Sequence, residues 1–411
     1  MSVMIAQQKD IDALVDAYAG RVIKFGELHN HTDAGPTADG WQSLATWKEE
    51  MQKLGLSFAA IVDHKQVAHM YHKDWRTQAT EDCDVVFIGG SEPGTSILDS
   101  KAVQKNLHYN MLLNDPKKLL QVVQDNPKFC IKSARYEAFN WNAAYGSTNK
   151  AGTYDPMDYE NDPTGILQTW TYPKFTVEEF NRFSNAIYDA GGLLVHVHPK
   201  YSSYLISDDP LDYFFGNVMG LEIFTCDRYG RSPSFEKNDD AYKVWADLVN
   251  IGKRVFATSG CDNHRMPSPY AMTAIYASPL PNSDEYMQYV HNGDIAPGWV
   301  GIRMLLGDVL MGGETDFADK RLIFSVGEMY QNAYAAEIPG EFDACYNPER
   351  TYTVQLITEK GVVWEQEIDP GKMNYFAFDA DPKAKYYRVV VWDMTQGYRC
   401  GVGNPIWNTV E

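Results

Sequence analysis

The residues best equipped for chemistry are histidines and carboxylates that recur where short apolar runs stop. The first run, Lys24 to Leu28, leads into His29-Asn30-His31-Thr32, with Asp39-Gly40 a few residues further on. Alternate side chains of a strand share a face, so His29 and His31 point the same way and offer half of a metal site. His-x-His alone also occurs in solvated loops, but here the pattern repeats. Asp63-His64 follow Ser57 to Val62, Glu92 follows Val85 to Ser91, and His108 follows Asn106-Leu107. Later, His196-Val197-His198-Pro199 follow Gly191 to Val195, Glu222 follows Val218 to Leu221, and Asp262-Asn263-His264 follow Arg254 to Cys261. Seven of the ten histidines occupy these positions. Imidazoles and carboxylates gathered at successive strand ends are the way a barrel builds a catalytic face.

The elements that must position these groups alternate between strand and helix. Ile11, Leu14, Val15 and Tyr18 predict an amphipathic helix from about Asp10 to Ala19, stopped by Gly20; Leu44, Trp47, Met51 and Leu54 predict another, stopped by Gly55. Repetition of the β-α-β unit predicts parallel strands. A third helix is expected over Val67 to Ala79, with His69 and His72 as solvated helical side chains, and further helices over Pro116 to Gln124, around Phe180 to Tyr188, and through Tyr286 and Val290. Residues 135 to 175 are rich in Tyr, Trp, Asn, Gly and Pro, an aromatic insertion at the site end that is expected to act as a substrate lid. From about Ile302 the apolar period becomes two, with strands at Leu322 to Val326, Thr351 to Thr358, Val362 to Ile368, Tyr375 to Phe378 and Tyr387 to Trp392, and a hairpin turn at Glu359-Lys360-Gly361. The division expected is a barrel over residues 1–301 and a β-sandwich-like accessory module over 302–411, the module packing on the barrel or joining copies into a homo-oligomer. No histidine follows His291, so the chemistry belongs to the barrel.

Composition narrows the function. A formal net charge of −19 and a pI near 4.9 exclude non-specific binding to nucleic acid or anionic membrane, both of which need a basic face. No uninterrupted apolar stretch is long enough to span a bilayer, and residues 1–10 show no cationic flank with an apolar core as in a signal peptide. The six cysteines include no Cys-x-x-Cys, which predicts buried or free thiols in a reducing, cytoplasmic setting, with pairing only on export.

Together, Leu28-His29-Asn30-His31-Thr32 with Asp39-Gly40, Val62-Asp63-His64, Gly90-Ser91-Glu92, His108-Tyr109-Asn110, His198-Pro199, Gly220-Leu221-Glu222 and Gly260-Cys261-Asp262-Asn263-His264 resemble the motifs of the PHP (polymerase and histidinol phosphatase) family of metal-dependent phosphoesterases. The resemblance implies a distorted barrel of the (β/α)7 type and a trinuclear centre of divalent zinc, manganese or iron. One ion would be held by His29, His31, Glu92 and Asp262, a second by Glu92, His108 and His198, and a third by Asp39, His64 and His264. Glu92, Asp262 and His264 would take part in catalysis. In the family Ser-Asp-Gly follows His-x-His-Thr more closely, so the longer loop here leaves Asp33 as a competitor to Asp39. His196 shares its predicted strand face with His198 and competes with it, although the Pro199 that follows fits the family's ligand. Val62 and Cys261 replace the usual Thr and Ser without touching a ligating group. Lys65, Arg135, Lys200, Arg228 and Arg265 are candidate phosphate contacts, and Glu222 is expected to support ligands rather than be one.

The implied activity is hydrolysis of a small phosphate ester by a metal-bridged hydroxide. Mixed imidazole and carboxylate donors without thiolate suit the same ions on chemical grounds. Two other readings stay open: a hydrolase of carbamates, esters or amides on the same centre, and a non-catalytic metal-stabilised binding module.

Overall fold

The computed structural model describes residues 4–34, 38–64, 67–97, 104–125, 132–134, 166–168, 174–199, 207–226, 235–332, 334 and 345–410. Nine strands form a nearly closed, barrel-like sheet in a mixed α/β fold: β1 (Val22–Asn30), β2 (Phe58–Ile61), β3 (Val86–Ser91), β4 (Gln104–Leu112), β5 (Leu193–His196), β6 (Val218–Phe224), β7 (Arg254–Ser259), β8 (Thr273–Ala277) and β9 (Ala296–Pro297). Their order around the sheet is β7-β6-β5-β4-β3-β2-β1-β8-β9, and β7 lies against both β1 and β9 to bring the ends together. Most of these strands are buried along their whole length, which a sheet covered on both faces requires.

Helices cover the outside where the apolar spacing places them. Leu44–Leu54 starts at Ser43, whose hydroxyl accepts from the Thr46 amide, and stops at Gly55, which takes the left-handed conformation at φ 67°. Its buried residues are Leu44, Trp47, Met51 and Leu54, the four that define its apolar stripe. Val177–Asp189 begins with a reciprocal cap between Thr176 and Glu179. Pro116–Gln124 and Ser283–Asn292 also form, and a helix that the apolar spacing does not announce, Phe235–Asn250, packs on β6 and β7.

Two expectations about this region are corrected. The strands are not uniformly parallel: β1, β2 and β3 are parallel, as are β5, β6 and β7, but β4 runs antiparallel to both β3 and β5, and β8 antiparallel to β1. The cause is the short connection. Gly94–Ile97, directly after β3, turns back to pair antiparallel with β4, leaving too little chain for a helical crossover. His108 therefore sits inside β4 rather than beyond its end. The predicted helix over Val67 to Ala79 shrinks to one 3-10 turn, Ala68–Tyr71, after which the chain runs beside the sheet: Arg76 accepts from the Phe87 amide and Ala79 donates to Pro281. His69 and His72 are consequently buried, not solvated.

The predicted C-terminal strands form two further sheets. One contains Gly301–Leu306, Arg321–Gly327 and Asn374–Asp379, and its edge is completed by Met4–Ile5 from the start of the chain. The other is built on Tyr352–Thr358, Gly361–Ile368 and Tyr386–Asp393, with the hairpin turn in its predicted place. Their apolar core is continuous with that of the barrel. The fully buried Asn404 makes the tie specific: its Oδ1 accepts from the Ala257 amide at 2.6 Å and its Nδ2 donates to the carbonyls of Ala257 and Ile295 at 3.2 and 3.1 Å. Asn404→Ala leaves these buried groups of β7 and its neighbour without partners, and is expected to lower unfolding stability by about 1–3 kcal/mol in chemical denaturation.

Candidate metal centre

Because β1, β2, β3, β5, β6 and β7 point the same way, their C-terminal ends deliver side chains to one end of the barrel. Backbone bridges beyond the regular strands, His64 with Glu92 and Asn30 with Asn263, draw the loops closer still. Gly260 allows this approach, since a Cβ there would strike His29 and Glu222.

Every imidazole and carboxylate expected at the centre is brought to this end. His29 Nε2, His31 Nε2, Glu92 Oε2 and Asp262 Oδ1 form the tightest group: the two nitrogens are 3.2 Å apart and stand 3.1–3.4 Å from the carboxylate oxygens. Donor atoms placed tetrahedrally at about 2.0–2.1 Å from a zinc-sized ion lie about 3.3 Å from each other. The other oxygen of Glu92, Oε1, faces His108 Nδ1 at 2.8 Å and His198 Nε2 at 3.4 Å. Asp39 Oδ2 meets His264 Nε2 at 3.1 Å and His64 Nε2 at 3.5 Å, while His64 Nδ1 reaches back to Glu92 Oε2 at 3.2 Å. Three groups thus have metal-ligand geometry: His29, His31, Glu92 and Asp262; His64, Glu92 and His108; and His31, Asp39, His64 and His264.

The donor set fits cations. Glu92 is completely buried, yet among the described residues neither of its oxygens has a well-formed hydrogen-bond partner, and the same is true of His31 Nδ1. A buried carboxylate ringed by imidazole nitrogens is stabilised by a positive ion placed between them. Without such an ion, protons must supply the charge. Burial opposes the charged form of His64, but Glu92 and Asp39 outweigh it and raise its pKa to about 10; His264, beside Asp39 and Asp262, rises to about 9 despite its own burial. Burial likewise disfavours ionised Glu92 and Asp39, yet the surrounding imidazoles hold both well below the usual carboxylate range. His108 moves the other way, lowered chiefly by burial.

Two positions required structural information. The chain turns at His198, which has φ 33°, so the period-two relation to His196 is broken. His198 faces Glu92, whereas His196 lies between the rings of Tyr109 and Tyr213 with its Nδ1 at the Tyr213 carbonyl, and burial pushes its pKa down to about 3. Asp39 rather than Asp33 stands among the imidazoles; Gly40 lets its loop press on His31 and Thr32, where a Cβ would collide. Asp262 also has a positive φ, 50°, so a second residue of the centre is held in an uncommon backbone state.

Supporting contacts lie behind the ligands. Glu222 Oε1 is 3.2 Å from His29 Nδ1 and its Oε2 accepts from the His198 amide at 2.7 Å. A carboxylate can only accept, so it fixes the proton on Nδ1 and leaves the Nε2 lone pair for a cation. Asp63 accepts from the amide and hydroxyl of Thr32 at 2.6 and 2.8 Å, and the buried His69 sits 3.3 Å from the same carboxylate. The importance of His69 was hidden by its helix-like spacing from His72; only its Asp63 partner reveals it.

Above the centre opens a cavity of about 670 Å³ lined by Asp39, Trp41, His64, His108, His198, Thr225, Cys226, Cys261, Asp262, His264 and Arg265. Of the five candidate phosphate contacts, Arg265 lines this cavity. Lys65, Arg135, Lys200 and Arg228 lie outside the described residues, as does most of the aromatic insertion. Cys226 and Cys261 form a disulfide in the cavity wall, which corrects the expectation of unpaired thiols; the pairing depends on the ends of β6 and the loop after β7 meeting, which spacing does not disclose. Among the described residues no helix is long and apolar enough to cross a membrane.

No protein-family model matches the sequence. No curated protein matches it either. Among solved structures, the chain is similar to an amidohydrolase from Chromobacterium violaceum with bound sulfate and no metal (15% identity, TM-score 0.33, covering 58% of this chain and 87% of that one). It is also similar to a protein from Bifidobacterium adolescentis provisionally described as a metal-dependent phosphoesterase (15%, 0.34, 65% and 96%) and to a lesion-specific endonuclease from Pyrococcus furiosus (12%, 0.39, 66% and 56%). Likenesses this distant leave the functional reading to the geometry of the site itself.

Two outcomes are expected. Glu222→Gln weakens metal affinity about 10–100-fold in a chelator competition, because an amide cannot serve both His29 and His198 as a charged acceptor. In the metal-free protein, His64 and His264 bind protons more tightly folded than unfolded. Their contribution is therefore complete below the unfolded value of about 6.5 and is lost as pH rises through about 9 to 10. The denaturation midpoint of chelated protein should fall from pH 6.5 to pH 10, and added manganese should flatten that fall.

Proposed function

We propose that the protein is a metal-dependent hydrolase, and within that class a phosphoesterase acting on a small phosphate ester at a centre of three divalent ions. The observation that carries the reading is Glu92: a fully buried carboxylate whose two oxygens face different sets of imidazoles, beneath an open cavity. His29, His31, Glu92 and Asp262 would hold one ion, Glu92 with His108 and His198 a second, and Asp39, His64 and His264 a third. Bound divalent ions supply Lewis acidity and lower the pKa of water toward neutrality.

The chain's own groups divide the remaining work. Glu92 would be shared by two neighbouring cation sites, since its two oxygens face different sets of imidazoles. Glu222 and Asp63 hold the ligand loops in place from behind. Asp262 and His264 line the cavity, so the ions they would hold face the space open to substrate. Arg265 brings a fixed positive charge to the same wall. The barrel over residues 1–301 would thus carry the chemistry, with residues 302–411 bracing β7 through Asn404.

A second reading, cleavage of a carbamate, ester or amide on the same centre, is favoured by one observation: among the described residues, Arg265 is the sole lysine or arginine lining the cavity. Turnover of bis(p-nitrophenyl) phosphate, p-nitrophenyl phosphate and p-nitrophenyl acetate by manganese-loaded and chelated protein separates the two. Metal-dependent release from either phosphate is the expected result. Release from the acetate alone moves the assignment to the second reading, and bound metal with no turnover at all moves it to a binding module. Asp262→Asn should lose metal and activity together; full activity in that variant would remove Asp262 from the ligand set.

A further inference from the structure

The wall of the cavity carries one residue that neither the fold nor the metal centre needs. Trp41 is 59% exposed, the most exposed large apolar side chain among the described residues. A single exposed tryptophan on a surface calls for no explanation, but this one lines the cavity above the candidate ligands. Its backbone is fixed to them: the Trp41 amide donates to the His264 carbonyl at 2.7 Å, the Gly40 amide to Thr32 at 3.0 Å, and the Asp33 amide to Gln42 at 3.0 Å. The indole therefore projects from a segment clamped on both sides to the residues that surround the centre.

Arg265 is placed by the same device. It follows His264 directly, its amide donates to Asn263 Oδ1 at 3.0 Å, and its guanidinium carbon lies 4.2 Å from the centroid of the Trp41 ring. A guanidinium over an indole holds the ring upright and keeps a positive charge beside it. The lining also includes Thr225, Cys226 and Cys261, which are small and uncharged. The cavity thus combines imidazoles and carboxylates, an aromatic ring paired with a guanidinium, and small neutral side chains in one lining.

We propose that Trp41, backed by Arg265, is a stacking platform that selects phosphate esters whose leaving group carries an aromatic ring. The phosphate part of this statement rests on the function proposed above; the aromatic part rests on the wall alone. With the phosphoryl group held among the imidazoles and carboxylates, a leaving group that extends into the cavity can lie against the Trp41 ring that lines it. A flat ring covers exposed indole area that an unbranched polar leaving group would leave wet. Aromatic contact adds to area burial, so a planar ring is preferred to a saturated ring of similar size.

The test uses phosphonates, whose carbon–phosphorus bond is not an ester. Isothermal titration of the manganese-loaded protein with phenylphosphonate, cyclohexylphosphonate and methylphosphonate should give phenyl binding about 3- to 10-fold tighter than cyclohexyl. Trp41→Ala and Trp41→Leu should bring that ratio below about twofold, and Trp41→Phe should retain most of it. Metal content of each variant is measured alongside, so that loss of the centre is not mistaken for loss of stacking; because Trp41 is exposed, at least one of the three replacements is expected to fold. Equal binding of phenyl and cyclohexyl ligands by the native protein, or a ratio unchanged in both Trp41→Ala and Trp41→Leu, overturns the platform while leaving methylphosphonate binding, and with it the phosphate reading, intact. Failure of all three phosphonates to bind overturns the phosphate reading and the platform together.

Discussion

A buried carboxylate surrounded by imidazoles is the constraint around which this protein is arranged. Glu92 follows β3 at the barrel's open end, with five imidazoles from four segments of the chain turned toward it and, among the described residues, no amide or hydroxyl satisfying its oxygens. Such a group is costly to bury unless positive charge is placed beside it. The raised pKa values of His64 and His264 show the same demand from the other side: stripped of cations, the cluster retains protons in their place. Metal binding and proton binding are therefore alternatives for the same charge deficit.

The rest of the barrel keeps these donors from moving apart to relieve their crowding. Glu222 grips His29 and the backbone of His198 together, Asp63 grips Thr32 next to His31, and Ser268 donates its amide to Glu27 two residues before His29. His198 and Asp262 occupy backbone conformations that residues with a side chain rarely adopt. That strain is held by the packed strands behind them, and Asn404 extends the support into the C-terminal sheets.

Much of this was legible in the sequence because the donors sit directly behind buried strands. His29, His31, His64, Glu92, Asp262 and His264 are announced by apolar runs that stop at them, and the helix Leu44–Leu54 by its four apolar positions. What escaped notice depends on contacts remote in sequence. The direction of β4 is set by a hairpin whose pairing no local spacing declares. His69 looked solvated because a helix was expected there, whereas a single 3-10 turn folds it in beside Asp63 and Trp75. The choice between His196 and His198 was made by one φ angle, and the Cys226–Cys261 link by the meeting of two strand ends.

The pairing of Met4–Ile5 with residues Phe376 and Ala377 joins positions more than three hundred and seventy residues apart in the chain. Partners so distant along the chain meet only because the intervening sheets bring them together, so this edge strand depends on the rest of the fold. It makes the opening of the last sheet and the release of the first helix a single event: the bidentate pair of Arg321 with Asp10 lies on the same seam. Fraying at that seam would reach the barrel through its first helix and the C-terminal sheet rather than through the cluster of imidazoles and carboxylates.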